Sequence, residues 1–276
     1  YVLFILIIIL VAVYILFTIY RLKHEVSVEQ QMTNMKLRFF TDISHELRTP
    51  LTLISGPVEY VLANTQLPAD AREQLQVVER NTNRMLRLIN QILDFRKIQN
   101  KKMKMQVQRI DVVAFTRKIM ENFDSVAEEH HIDFLFETEK AELYLWVDAD
   151  KYEKIIFNLL SNAFKYTPNG KMIKLFIHED EETVSIGVQD QGIGIAENKK
   201  KSIFVRFENL VDRNLFNPST GIGLSLVKEL VEMHKALISV DSKLGEGSCF
   251  KIDFMKGKEH YDEAVEFMQD DTTAGL

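Results

Sequence analysis

The sequence predicts a multi-domain chain. Its expected parts are one transmembrane helix, a helical hairpin that pairs with a second copy into a four-helix bundle, and an α/β sandwich. Three observations carry this. Tyr1 to Tyr20 hold no charge and neither Gly nor Pro. From Ile43 to Ile92 apolar residues recur at steps of three and four, the helical period. Beyond Met103, short alternating runs interleave with helical ones, the texture of a mixed sheet.

Taken in order, residues 1–20 would form a helix of about 30 Å, the thickness of a bilayer core. Tyr14, Phe17 and Tyr20 gather at its C-terminal end as an interfacial belt, and Arg21 and Lys23 follow. The positive-inside rule then places the rest in the cytoplasm. A signal peptide fits poorly, because the run is long and lacks a basic start and a small-residue cleavage site. The chain begins at Tyr1 rather than Met, as a fragment of a longer protein would, and a span there implies an extracytoplasmic part upstream.

Residues 21–35 read as a polar helical connector and residues 36–103 as the hairpin. One seam runs through Ile43, Leu47, Leu51, Ile54, Val58 and Val61, and the other through Leu75, Val78, Thr82, Met85, Ile89 and Ile92. The first helix is expected to end near Ala63, with a turn over Asn64 to Pro68 and Asp70 as cap of the second. Two arms alone bury little surface, so a homodimer is expected, with a monomeric pair packed on a neighbouring domain as the alternative. Arg80, Arg84 and Arg87 take the wet side, and Asn100 to Lys102 is the hinge.

The first arm carries Ser44-His45-Glu46-Leu47-Arg48-Thr49-Pro50-Leu51. His45 is roughly 200° round from Ile43, away from the apolar stripe. A histidine exposed there can stay neutral near pH 7, and the free nitrogen of the neutral ring is a nucleophile. Glu46 can take the proton of the other nitrogen, and Thr49 adds a hydroxyl one turn on. Pro50 leaves the carbonyl of Glu46 without its helical partner, so a kink is expected there. By itself His45 is equally a surface histidine on a bundle helix.

Residues 104–256 form the α/β unit. Strands are expected at Lys104–Ile110, Ile132–Thr138, Leu143–Val147, Met172–His178, Thr183–Val188, Leu237–Val240 and Ser248–Phe254, with helices over Val112–His130 and Ala149–Tyr166. On the second helix Asn158, Asn162 and Lys165 share a face. Two amides and an ammonium suit a polyphosphate and its Mg²⁺, with the amide oxygen of Asn158 as metal ligand. A plain wet helix face is the other reading. Asp190-Gln191-Gly192-Ile193-Gly194 follows a strand; its glycines admit a flat ligand, and Asp190 can accept from an exocyclic amine. Ser219-Thr220-Gly221-Ile222-Gly223-Leu224 opens a helix running to Met233, where free N–H groups can cradle phosphates.

The eight residues around His45 resemble the phosphoacceptor box of sensor histidine kinases residue for residue. The Asn face, the D-x-G-x-G turn, a Phe-bearing segment (Phe204, Phe207) and T-G-I-G-L follow in the order of the Bergerat-type ATPase domain that accompanies it. The resemblance covers roughly Lys36 to Phe254. It implies autophosphorylation of His45 from ATP with help from Glu46, and a Thr49–Glu46 pair that positions water for the reverse hydrolysis. It also implies Mg²⁺ at Asn158, with Asn162 and Lys165 near the phosphates. Asp190 would read adenine, Gly192, Gly194, Thr220, Gly221 and Gly223 would shape the pocket, and Ala196 to Ser219 would be its lid. The phosphoryl group would pass to an aspartate of a receiver domain in a response regulator, and the span would set the kinase in a bacterial inner membrane. The span, connector and box together are similar to membrane-bound hybrid sensors.

Two departures stand out. Ser219 replaces a glycine that usually opens the last glycine box, which can narrow the lid hinge. Lys235-Ala236 replaces a frequent glycine pair, a change expected to touch only a turn. The acidic stretch 257–276 reads as a linker or tail. A net charge of −6 argues against direct nucleic-acid binding, and the single Cys249 excludes an internal disulfide. Two other functions fit parts of the pattern: an ATP-driven conformational clamp of the same ATPase superfamily, and a non-catalytic signalling scaffold.

Overall fold

The computed structural model describes residues 1–100, 102–204, 223–262 and 265–268. The side chains of residues 2, 5–9, 22, 25–42, 45, 84, 95 and 99 fall outside that description. The chain divides into two compact units, Tyr1–Lys97 and Ile98–Leu276.

The first unit is two helices. α1 (Val2–Asn64) runs unbroken through Pro50 and Pro57, so the stretches read as span, connector and first hairpin arm form one continuous helix, about 95 Å along its axis. Among the described residues, no helix is long and apolar enough to cross a membrane. The side chains of Val2 and residues 5–9 of the apolar run lie outside that description. α1 ends one residue past the expected Ala63. α2 (Ala69–Gln99) then begins, with Asp70 inside its first turn instead of capping it. There the carboxylate still faces the positive end of the helix dipole.

The arms share an antiparallel register. Arg48 Nη2 donates to Asn90 Oδ1 at 2.8 Å, and two turns on Ser55 Oγ lies 3.2 Å from Asn83 Oδ1. The inward stripe is Ser44, Arg48, Leu51, Ser55, Val58 and Leu62 on α1, and Leu75, Glu79, Thr82, Leu86, Ile89 and Leu93 on α2, all buried or half-buried. The seams expected from periodicity are therefore partly turned away. Leu47, Ile54, Val78 and Met85 remain 47, 45, 40 and 53% exposed. A bundle helix has one edge toward its hairpin partner and another toward a second hairpin, and the hydrophobic period alone does not separate them.

The second unit is the sandwich. β1 (Gln106–Asp111), α3 (Val112–Met120), a 3₁₀ turn at Glu121–Phe123, α4 (Asp124–Glu129), β2 (Asp133–Thr138) and β3 (Tyr144–Val147) come first. α5 (Ala149–Tyr166), β4 (Met172–Glu179), β5 (Thr183–Asp190), α6 (Gly223–Met233), β6 (Leu237–Lys243), β7 (Gly247–Met255) and β8 (Glu266–Phe267) follow. The helix expected over Val112–His130 breaks at the 3₁₀ turn. Five strands pair in the order β2-β4-β5-β7-β6, with only β2–β4 parallel, and three pair as β3-β1-β8. One face of the larger sheet is a grid of cross-strand rows: Ile177–Ile186–Ile252, Leu175–Val188–Phe250, then Ile173–Asp190–Ser248. α3, α5 and α6 bury Val112, Val113, Ile155, Leu159, Leu226 and Leu230 in the same core. The stretch read as a tail from Gly257 stays on the domain, since Tyr261 is buried and β8 adds a strand to β1. Its last residues, 269–276, lie outside the described residues.

Candidate active site

Asp190 closes β5, in the row that follows Leu175–Val188–Phe250 on the core face, so a carboxylate ends an apolar grid. It is 8% exposed. Burial pushes its carboxyl above the usual range, and backbone N–H groups of Gly192 and Ser248 pull the other way. Gly192 N donates to Oδ1 at 2.7 Å.

The loop beyond it is stitched on both sides. Ile193 N donates to Tyr166 O at the end of α5 (3.2 Å), while Gly245 N donates to Ile193 O (2.7 Å). Ile195 N donates to Ser242 Oγ at 2.8 Å. A Cβ on Gly192 would sit 2.6 Å from Tyr166 O, and Gly194 has φ +66 with Lys243 O 2.0 Å from where its Cβ would be. Both positions therefore require glycine, one by close approach and one by backbone conformation as well. Thr167, next after Tyr166, has a buried hydroxyl without a partner among the described residues, which a bound molecule or water can satisfy.

Asp148 caps α5, its Oδ1 accepting from Lys151 N at 3.2 Å. On that helix Asn158 is only 7% exposed, which removes the wet-face reading at that position. Its Nδ2 donates to Lys154 O at 2.6 Å, and its Oδ1 lies 3.2 Å from the place a Cβ on Gly223 would take. A hard amide oxygen thus meets the N-terminus of α6 where no side chain stands, an arrangement that fits a hydrated Mg²⁺ bridging to phosphate. Asn162 and Lys165 follow along α5, both half-buried, with Lys165 Nζ 5.2 Å from the centre of the Tyr166 ring.

Asn158 thus meets Gly223 between α5 and α6, while Asp190, Gly192 and Gly194 gather against Tyr166, about 12 Å further along α5. Ser219, Thr220 and Gly221 lie outside the described residues, as do Arg206 and Phe207. The start of the expected lid is anchored: Ile203 is 4% exposed and Phe204 stands edge-on to Phe250. Sequence reasoning missed Ser242 and Ser248, whose hydroxyls lie 2.9 Å apart beside Asp190. Only strand register, which puts them in the Asp190 row, reveals them.

In the first unit, Glu46 and Thr49 are exposed on α1, as are Thr52 and Gly56 further along the strip that contains position 45. His45 belongs to the helix, but its side chain lies outside the described residues.

Residues 35–101 match the His Kinase A (phospho-acceptor) domain family, and residues 147–258 match the histidine kinase-, DNA gyrase B- and HSP90-like ATPase family. The chain belongs to the sensor histidine kinases. A histidine kinase of Formosa agariphila is 36% identical over 88% of this chain, and the sensor histidine kinase TmoS of Ectopseudomonas mendocina 39% identical over 81%. The chain spans only 19 and 23% of those two proteins. Among solved structures, full-length ShkA in complex with AMPPNP shares the fold at a TM-score of 0.63 and 24% identity, over 80% of this chain and 46% of that one. The histidine kinase ThkA, solved with the response regulator protein TrrA, does so at 0.52 and 21%, over 78 and 60%.

Within this family, the departure at Lys235 has a visible structural consequence. Lys235 has φ +56, the left-handed conformation in which glycine is unstrained. It ends α6, Ala236 N donating to Val231 O and Lys235 N to Glu232 O. The helix stop is kept and the lysine bears its strain.

Proposed function

We propose that the chain is the kinase core of a homodimeric sensor that phosphorylates His45 from ATP and hands the phosphoryl group to a receiver aspartate. The observation that carries this is that one unit sets Asn158 against the glycine start of α6 and a buried Asp190 in the glycine turn at the end of the same α5, while Glu46 and Thr49 are exposed beside position 45 in the other. Asp190 accepts from the adenine amine, Gly192 and Gly194 admit the base, and Asn162 and Lys165 line the phosphate path. Bound Mg²⁺, held by Asn158 with water, would neutralise charge on the phosphates. An unprotonated imidazole nitrogen of His45 forms the P–N bond as the β,γ-bridging P–O bond breaks. ADP leaves, and Glu46 takes the proton of the other ring nitrogen. Alignment supplies most of the acceleration, as in phosphoryl transfer generally.

Pairing follows from the hairpin. Leu47 and Ile54 on α1 and Val78 and Met85 on α2 stand to one side of the inward stripe, two turns apart on each arm, and are 47, 45, 40 and 53% exposed. Two apolar strips on one face suit a second copy of the hairpin. The membrane reading rests on residues 1–20. Every described side chain there is exposed, from Leu3 and Phe4 to Ile19 and Tyr20, and Arg21 and Lys23 come next. A helix apolar on all sides belongs in lipid or in a core. Such a span would place the kinase at a bacterial inner membrane facing the cytoplasm. The receiver partner finds support in ThkA, solved with a response regulator.

Incubation with γ-labelled ATP tests the reaction. Acid-labile, alkali-stable label on wild type, absent from His45→Gln, is expected. ATP hydrolysis without bound label would select the clamp, and failure to bind nucleotide the scaffold.

A further inference from the structure

We propose that residues 258–262 and 265–268 form a strap that pins the first strand of the nucleotide-binding unit, and that its release frees the α2–β1 junction and quickens phosphoryl transfer. The rate part rests on the function proposed above; the pinning part does not.

The segment is built to dock. Tyr261 is 9% exposed and packs with Met105 and Val107, next to Trp146, Met233 and Val265. Its hydroxyl donates to Trp146 O at 2.8 Å. Glu266 N donates to Met105 O at 3.2 Å and Met268 N to Val107 O at 2.9 Å, so β8 covers the free edge of β1. The Glu266 carboxylate takes Lys104 Nζ at 2.9 Å and Gln106 Nε2 at 3.4 Å. Phe267 stands edge-on to Trp146 and Tyr261. Asp262 meets Lys235 Nζ at 2.9 Å, tying the segment to the end of α6.

What it grips is the start of the unit. Lys104 to Val107 follow directly on residues 98–103, where Ile98 and Met103 still pack on the core. Gln106 N donates to Asp148 Oδ2 at 2.8 Å, and Asp148 N donates to His234 Nε2 at 3.1 Å. The strand beneath the strap therefore joins, through one residue, Asp148, the cap of α5 and the far end of α6, the two helices that frame the nucleotide region. Apart from Tyr261, the hold is shallow: backbone bonds at the sheet edge, polar contacts and ion pairs between largely exposed groups, and ring contacts of Phe267, itself 42% exposed. Segments held this way open far more readily than a domain core. The segment thus has the makings of a latch, specific in its contacts and easily undone.

The test uses the full chain with Glu266→Pro, which removes the N–H to Met105 O and the carboxylate at an exposed position. Amide hydrogen exchange over residues 104–108 is expected to rise at least tenfold. ATP affinity should stay within twofold, and the initial rate of His45 labelling should rise at least threefold. The charge swap Lys104→Glu with Glu266→Lys should restore slow exchange relative to Glu266→Lys alone. Unchanged exchange in Glu266→Pro would overturn the pinning. Faster exchange with an unchanged or lower labelling rate would reduce the segment to an edge cover. If wild type takes no label at His45, the kinase reading fails, while the exchange result still judges the pinning.

Discussion

His234 shows how one buried side chain can tie a domain together and make it acid-sensitive. Its Nδ1 donates to Leu230 O at 2.8 Å and its Nε2 accepts from Asp148 N, so the ring is held neutral in a defined tautomer. Burial dominates and lowers its pKa from 6.5 to about 4, although Leu230 O and Asp148 favour the cation; Lys151 and His260 add to the lowering. The unfolded ring takes a proton below about pH 6.5, and the folded ring resists until about 4. Stability is therefore full above pH 6.5 and falls as pH drops through that window, by roughly 3 kcal/mol in all. Urea midpoints measured from pH 7 to 4 should show this slope, and His234→Gln should flatten it. At Lys235, next in sequence, replacement by Gly should stabilise by about 1 kcal/mol. Relief of left-handed strain exceeds the loss of an exposed ion pair with Asp262. A thermal melt that moves down would contradict the strain argument.

At the scale of elements, the motifs were legible and their surroundings were not. Asn158, Asp190 and the glycines could be singled out as candidates from their motifs because each sits at an element end or on one helix face, where local chemistry decides the residue. β5 could be drawn from its alternation, but nothing local says that its last residue shares a row with Ser248 and Ser242, since register is set across strands. The break at Glu121–Phe123 and the docking of β8 are likewise tertiary. Two exposed residues gain a strand only because Tyr261 and Val107 bury each other's neighbourhood. In the hairpin the period was right and the face was not, because Leu47, Ile54, Val78 and Met85 are reserved for something other than the facing arm. That supplies a direct test of pairing. Met85→Glu changes a residue exposed within its own chain, so the hairpin survives while the paired state loses a layer. Sedimentation should show a shift from dimer to monomer at micromolar concentration; an unmoved dimer would put the interface elsewhere.

For the whole molecule, the account joins a phosphate donor site in one unit to an acceptor in the other, and the two should be separable by mutation. Asp190→Asn removes the charged acceptor for the base and should weaken ATP binding roughly 10- to 100-fold. His45→Gln leaves that site untouched. The measurement that tests the claim most directly is nucleotide affinity and protein-bound phosphate recorded together on wild type and both variants. The account predicts ATP bound within twofold of wild type but no phosphate on His45→Gln, and both lost together on Asp190→Asn at sub-saturating ATP. Phosphate still bound to His45→Gln, or undiminished labelling of Asp190→Asn, would contradict it.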